Sequence, residues 1–396
     1  MMSVVPGVAC LAASAVAGVV LRWMAARRAR AIEAAGGEHR VHELRVALFR
    51  ATRVAAVCGS VAAGGYLGAV LGQLSDPVAV LSALAVIVAG VAGPVAAARR
   101  PIASALARAR GVPRARMTPR GLGMAALLFL IRFWPAIVGA AVPAGLAGRV
   151  GIVLLGSLVV SPVIGGLSAP VIARLLAAAE LPGPAGARVQ ALAARAGVRV
   201  RGRLRHGART KDASARQVGW LPGLRYLVVS DYLIASASPP ELDAILAHEL
   251  AHVRHQDVLV RQYLAAVQLA PVGVMLAIMV TGARDAAAYL GLALMWVIIV
   301  VSIRLASAIV IRQELAADDL AARVTGPAQL AAALARLAEL NQIRPDTSAR
   351  WDRSVRHPAI QRRLERLRQR AGAAPAGDAA PAGQPAAAPR PGPPEP

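Results

Sequence analysis

Lysine is all but missing from this sequence. Lys211 is the only one, so the 45 basic residues are otherwise arginine, against 21 acidic ones. A formal net charge of +24 invites a nucleic-acid reading. The arginines, however, fall in the gaps between long apolar stretches instead of lining one face. That placement fits control of membrane topology, and nucleic acid is not expected as a partner. Aromatic residues are scarce at 3%, so the 57% hydrophobic content rests on Ala, Val, Leu and Ile. The two cysteines, Cys10 and Cys58, both lie in apolar runs, which excludes a disulfide framework. A mean hydropathy of +0.54 is beyond the range of ordinary soluble domains. Small apolar side chains suit closely packed transmembrane helices, and the lipid bilayer is the first partner implied.

The apolar runs predict a mainly α, polytopic membrane protein with about seven transmembrane helices, each near the ~20 residues a bilayer needs. The windows are 4–21, 54–72, 78–98, 122–147, 150–178, 263–281 and 286–311. The first run is followed, not preceded, by Arg22, Arg27, Arg28 and Arg30, the reverse of a signal peptide, so it reads as an uncleaved span. Pro162 and Pro170 interrupt the fifth window, and Pro135 and Pro143 are expected kinks in the fourth. Segments 22–53, 99–120, 180–262 and 312–370 are all basic and fall on one side of this arrangement. The positive-inside rule makes that side cytoplasmic, in a multi-pass protein of the cell membrane.

The expected organisation follows from these runs. Residues 1–179 form a multi-span membrane region. A first catalytic part covers 180–262, a transmembrane hairpin 263–311, and a second catalytic part 312–370. The Ala/Pro-rich stretch 371–396 cannot bury a core and is expected to be a disordered tail. Within 180–262, Val189–Ala196 reads as a short helix. Val198–Leu204 and Leu224–Ser230 read as strands with a Gly-rich loop, 205–223, between them.

A helix is expected to begin at Pro239-Pro240 and to carry His248-Glu249-Leu250-Ala251-His252. Residues four apart share a helix face, so His248 and His252 can offer two imidazole nitrogens to one zinc ion. Glu249 lies beside that face, within reach of a water molecule, as a general base. A catalytic zinc takes three protein ligands, so a third is required. Glu314 qualifies, because the hairpin 263–311 returns the chain to the same side of the membrane. Asp318, one turn further on, can hold a ligand imidazole from behind. One Zn2+ per chain is the expected cofactor.

These stretches resemble the HtpX / CAAX prenyl protease family of integral-membrane zinc metallopeptidases. The first is Ala244–His252, continued by His255-Gln256-Asp257, where Asp257 is expected to support the ligands. The second is Arg312–Asp318, which matches Arg-x-x-Glu-x-x-Ala-Asp. The third is His357-Pro358 with Arg363 and Leu364, similar to His-Pro-x-x-x-x-Arg. The resemblance covers roughly 185–370. It implies a small α+β zincin-like catalytic domain on the cytoplasmic face, with His248, His252 and Glu314 as zinc ligands and Glu249 as base. In the stretch Asp212–Gln217 the Asn and Phe often found in the family are missing. The amino-terminal half carries no motif of the family.

The expected activity is that of a zinc metalloendopeptidase acting on membrane or unfolded proteins. A substrate strand would add along 224–230 or 198–204. His357 and Arg363 are candidate catalytic groups, stabilising the negative charge that develops on the carbonyl oxygen. Two other readings stand beside this one: a BlaR/MecR-like signalling peptidase, and a non-catalytic membrane scaffold, for which Glu249 would have no use.

Overall fold

The computed structural model describes residues 4–37, 40–70, 77–112, 119–142, 144–181, 183–205, 211–280, 285–344 and 358–373. Three long helices come first: α1 (Val4–Ala35), α2 (Arg40–Val70) and α3 (Pro77–Ala109). They pack on one another, with Ala25, Ala29, Ile32, Leu44, Ala47, Ile102 and Ala105 as their shared core. Alanine predominates in that core, and small side chains let helix axes approach closely. Arg108 of α3 clasps Glu33 of α1 through two hydrogen bonds of 3.1 Å.

A second group follows. α4 (Pro119–Ala141) leads to α5 (Leu146–Leu155), a π-helical turn (Gly156–Val160), α6 (Ser161–Leu167) and α7 (Ala169–Leu175). The fifth expected span, 150–178, is therefore not one regular helix. Pro162 and Pro170 sit in the first turns of α6 and α7, where a missing N–H is tolerated. Val153 of α5 is fully buried between two glycines. A Cβ added at Gly139 of α4 would stand 2.5 Å from Val153 Cγ2. One at Gly273, on a later helix, would stand 2.6 Å from its Cγ1.

Next comes a four-stranded sheet made of β1 (Ala179–Glu180), β2 (Arg201–Arg205), β3 (Ala215–Val218) and β4 (Tyr226–Ser230), in the order β1-β2-β4-β3. β2 and β4 are parallel, while β1 and β3 pair antiparallel to their neighbours. α8 (Gly183–Arg195) crosses between β1 and β2. All five β4 residues are buried because each face meets a different core. Leu227 and Val229 face α8 and the helices beyond, whereas Tyr226 and Val228 face Ala169 and Ala173 of α7. Two expectations are corrected here. Residues 205–223, read as loop, contain β3: Ala215-Arg216-Gln217-Val218 has little strand propensity of its own, and pairing with β4 imposes the conformation. Among the described residues the strands read as substrate-binding are interior: β4 lies between β2 and β3, and β1 covers β2 over Gly202–Leu204.

The chain continues through α9 (Asp231–Ser236), α10 (Pro239–Arg254), α11 (Asp257–Val280), α12 (Ala286–Thr325), α13 (Pro327–Leu340) and α14 (Ile360–Ala373). α12 packs against α10, α11 and α13. At 40 residues it is about 60 Å long, twice the hydrocarbon thickness of a bilayer. The change in polarity at Arg312 does not end it. Residues 312–325 are good helix formers, and the stop comes at Gly326, whose φ of 95° few other residues adopt.

Among the described residues four stretches are long and apolar enough to cross a membrane: Gly7–Ala35, Leu146–Leu167, Asp257–Met275 and Ala286–Thr325. The remaining expected windows lie on α2, α3 and α4. The kink expected at Pro143 lies outside the described residues; of the tail expected over 371–396, residues 371–373 belong to α14 and the rest lie outside the described residues.

Candidate metal centre

α10 starts as a helix should. Ser238 precedes it, and the Ser238 backbone N–H donates to the Glu241 carboxylate at 2.8 Å, closing a capping box ahead of Pro239 and Pro240. Leu242, Ile245, Leu246, Leu250 and Val253 are buried in the domain core and fix the rotation of the helix. That rotation presents His248 and His252 to α12, with their rings edge to face and centroids 4.8 Å apart. Glu249, one residue round, is half-buried and keeps access to solvent.

Glu314 comes from α12. Its Oε2 lies 3.7 Å from His248 Nε2 and its Oε1 3.6 Å from His252 Nε2. All three side chains are buried, and their donor atoms lie within 4.8 Å of one another. Nitrogen and oxygen ligands about 2.0–2.2 Å from a tetrahedral zinc stand roughly 3.3–3.6 Å apart. The imidazole-to-carboxylate spacings lie close to that range, and the two-nitrogen, one-carboxylate donor set suits a divalent metal ion.

The other ring nitrogens each face a carboxylate, as in metal-binding imidazoles. His252 Nδ1 meets Asp257 Oδ2 at 2.6 Å. His248 Nδ1 lies 3.0 Å from Asp318 Oδ1. Asp257 reaches back over only five residues because α10 ends at a sharp corner, where Gln256 takes a left-handed φ of 56°. Asp318 is itself clamped by Arg363 of α14, through Nε to Oδ2 at 2.8 Å and Nη2 to Oδ1 at 2.6 Å. Burial opposes the Arg363 charge, but the Asp318 carboxylate outweighs it and raises the guanidinium pKa. Burial likewise opposes a charged His248. The Asp318 and Glu314 carboxylates prevail, so without a metal its pKa stands at about 9. Carboxylates around two imidazoles make a site suited to a cation.

The structure thus brings together His248, His252, Glu314, Asp257, Asp318 and Arg363, with Glu249 alongside. His357 lies outside the described residues. Arg363 sits on Asp318, with the two nitrogens that face it committed to that carboxylate. One neighbour was missed in the sequence. Arg261 of α11 places Nη2 2.9 Å from Glu314 Oε1 and its Nε 3.1 Å from Gln313 Oε1. The available signal was spacing: Asp257 and Arg261 are four apart and share a face of α11.

Residues 186–371 match the model of peptidase family M48, in accord with the resemblance read from the motifs. The crystal structure of S. mikatae Ste24p is similar in fold, with a TM-score of 0.58 at 14% sequence identity. The match covers 91% of this chain and 99% of that one. It extends over the amino-terminal helices, where the motifs had nothing to offer. No curated protein sequence matches the chain.

Proposed function

We propose that this chain, whose residues 186–371 carry a peptidase family M48 domain, is a membrane-embedded zinc metalloendopeptidase that hydrolyses membrane or unfolded proteins at the cytoplasmic face. The observation that carries the reading is the convergence of His248, His252 and Glu314 from two helices, with a carboxylate, Glu249, next to the first ligand. A purely structural metal site would have no use for that carboxylate.

His248, His252 and Glu314 would hold the ion. When bound, it supplies Lewis-acid polarisation of the scissile carbonyl and acidifies water. Glu249 accepts the proton of the attacking water and delivers it to the leaving amine nitrogen. Asp257 and Asp318 orient the imidazole rings so that each Nε2 faces the Glu314 carboxylate. Arg363 acts through Asp318, and its positive charge also reaches Glu249 and Glu314. His357 is kept as a candidate donor to the developing carbonyl oxyanion. β3 takes over the role first given to the interior strands. It is the edge of the sheet among the described residues and lies against α10, so an extended substrate can pair with it and lie along the helix that carries Glu249.

The seven-span topology with a cytoplasmic site belongs to the same reading. About 42 Å of helix separates the start of α12 from Glu314, enough to cross the hydrocarbon layer and carry the ligand beyond it. The test uses the purified full-length protein with an unfolded substrate such as casein. A chelator should abolish cleavage, and stoichiometric zinc should restore it. Cleavage that survived complete metal removal would overturn the proposal.

A further inference from the structure

A cavity of about 870 Å³ lies far from the metal centre, between α1, α2 and the segment after α13. Its lining changes character along the helices. At one end stand Leu21 of α1 and Val54 of α2, both in the apolar parts of their helices. Arg50 comes one turn from Val54 on α2 and Arg28 two turns from Leu21 on α1, with Glu43 and Arg344 among the remaining lining residues. Among the described lining residues of α1 and α2, two arginines, Arg28 and Arg50, stand with a single carboxylate, Glu43. Arg28 and Arg50 are exposed and, among the described residues, have no ion-pair partner. The peptidase domain closes the basic end, where the backbone N–H of Arg344 donates to His42 Nδ1 at 3.4 Å.

We infer that this cavity binds an anionic phospholipid. The phosphate would lie between Arg28 and Arg50, and the upper acyl chains would run along Leu21 and Val54 into the bilayer. Three features carry this. The positive excess selects an anionic headgroup over a zwitterionic one. The apolar-to-basic gradient runs along α1 and α2, as an amphiphile lying beside two membrane helices requires. The volume falls within the range of about 300–1,000 Å³ typical of ligand sites, which suits a headgroup with the first part of its chains. Basic recesses between membrane helices are the usual form of such sites. Because one wall comes from the peptidase domain, the bound lipid would bridge it to the amino-terminal helices. The inference is independent of the zinc chemistry, so either can fail alone.

The test is native mass spectrometry of the full chain in detergent, titrated separately with phosphatidylglycerol, phosphatidylcholine and inorganic phosphate. Wild type should retain phosphatidylglycerol selectively. Each arginine near an anionic headgroup is worth roughly fivefold, so R28Q/R50Q should lose about thirtyfold. R22Q/R27Q removes the same charge from α1 outside the cavity and should change little. A51W fills the cavity without altering charge and should also expel the lipid. The Tm in detergent, read on every variant, reports that each is folded. Equal retention of phosphatidylcholine, or phosphatidylglycerol binding unchanged in both R28Q/R50Q and A51W, would overturn the inference. So would inorganic phosphate occupying the site as well as the lipid does.

Discussion

Glu314 is buried at 3% exposure and faces two imidazoles and Arg261. Glu314→Ala should abolish proteolysis and remove most of the bound zinc, measured by elemental analysis, because only two protein ligands would remain. Asp257→Asn and Asp318→Asn should each weaken zinc binding about 10–100-fold, read by competition with a chromophoric chelator. The raised pKa of His248 gives a sign to the pH dependence. Below about pH 9 the metal-free ring carries a proton, which zinc must displace. Apparent affinity should therefore rise with pH by up to tenfold per unit and level off near that value, with proton release on binding. An affinity flat in pH from about 6 to 9 would contradict this. The residues that cluster here were legible in the sequence because each helix offers an i, i+4 pair: His248 with His252, and Glu314 with Asp318. Arg261 follows the same rule relative to Asp257. The corner at Gln256 was not legible, since nothing in a glutamine signals a left-handed backbone.

At the scale of elements, α10 was readable from its cap, its prolines and its apolar spacing, all of which agree. β3 was not, since a four-residue edge strand owes its form to the partner strand. Its placement gives a prediction. The Ser230 N–H donates to the Ser214 carbonyl, so in the alternating antiparallel ladder the Gln217 N–H points to the free edge. Gln217→Pro should leave the β4 pairing and zinc content intact and lower kcat/KM for extended peptides roughly two- to tenfold, the worth of one hydrogen bond. An unchanged kcat/KM would move the substrate elsewhere. The helical group behind the sheet depends on the two glycines around Val153. Gly139→Leu or Gly273→Leu forces α4 or α11 away from α5 and should cost about 1–3 kcal/mol by overpacking, seen as a lower Tm in detergent.

At the scale of the whole molecule, the apolar windows located nearly every long helix. They could not show where a helix goes after leaving the membrane. α12 continues past Arg312 because polarity and helix propensity are separate properties, and that continuity carries Glu314 to α10. The arginine asymmetry predicts orientation: reporter fusions after Arg120, Gln217 and Arg370 should report cytoplasm, and those after Asp76 and Arg284 the opposite side. A fusion after Gln217 reporting the outside would invert the arrangement.

The central claim is that Glu249 moves the proton at a zinc site built by His248, His252 and Glu314. It is tested most directly by Glu249→Gln, with zinc content and substrate cleavage measured on the same purified sample. The account predicts one zinc per chain, as in wild type, and no detectable cleavage. Cleavage near the wild-type rate with zinc in place would contradict it.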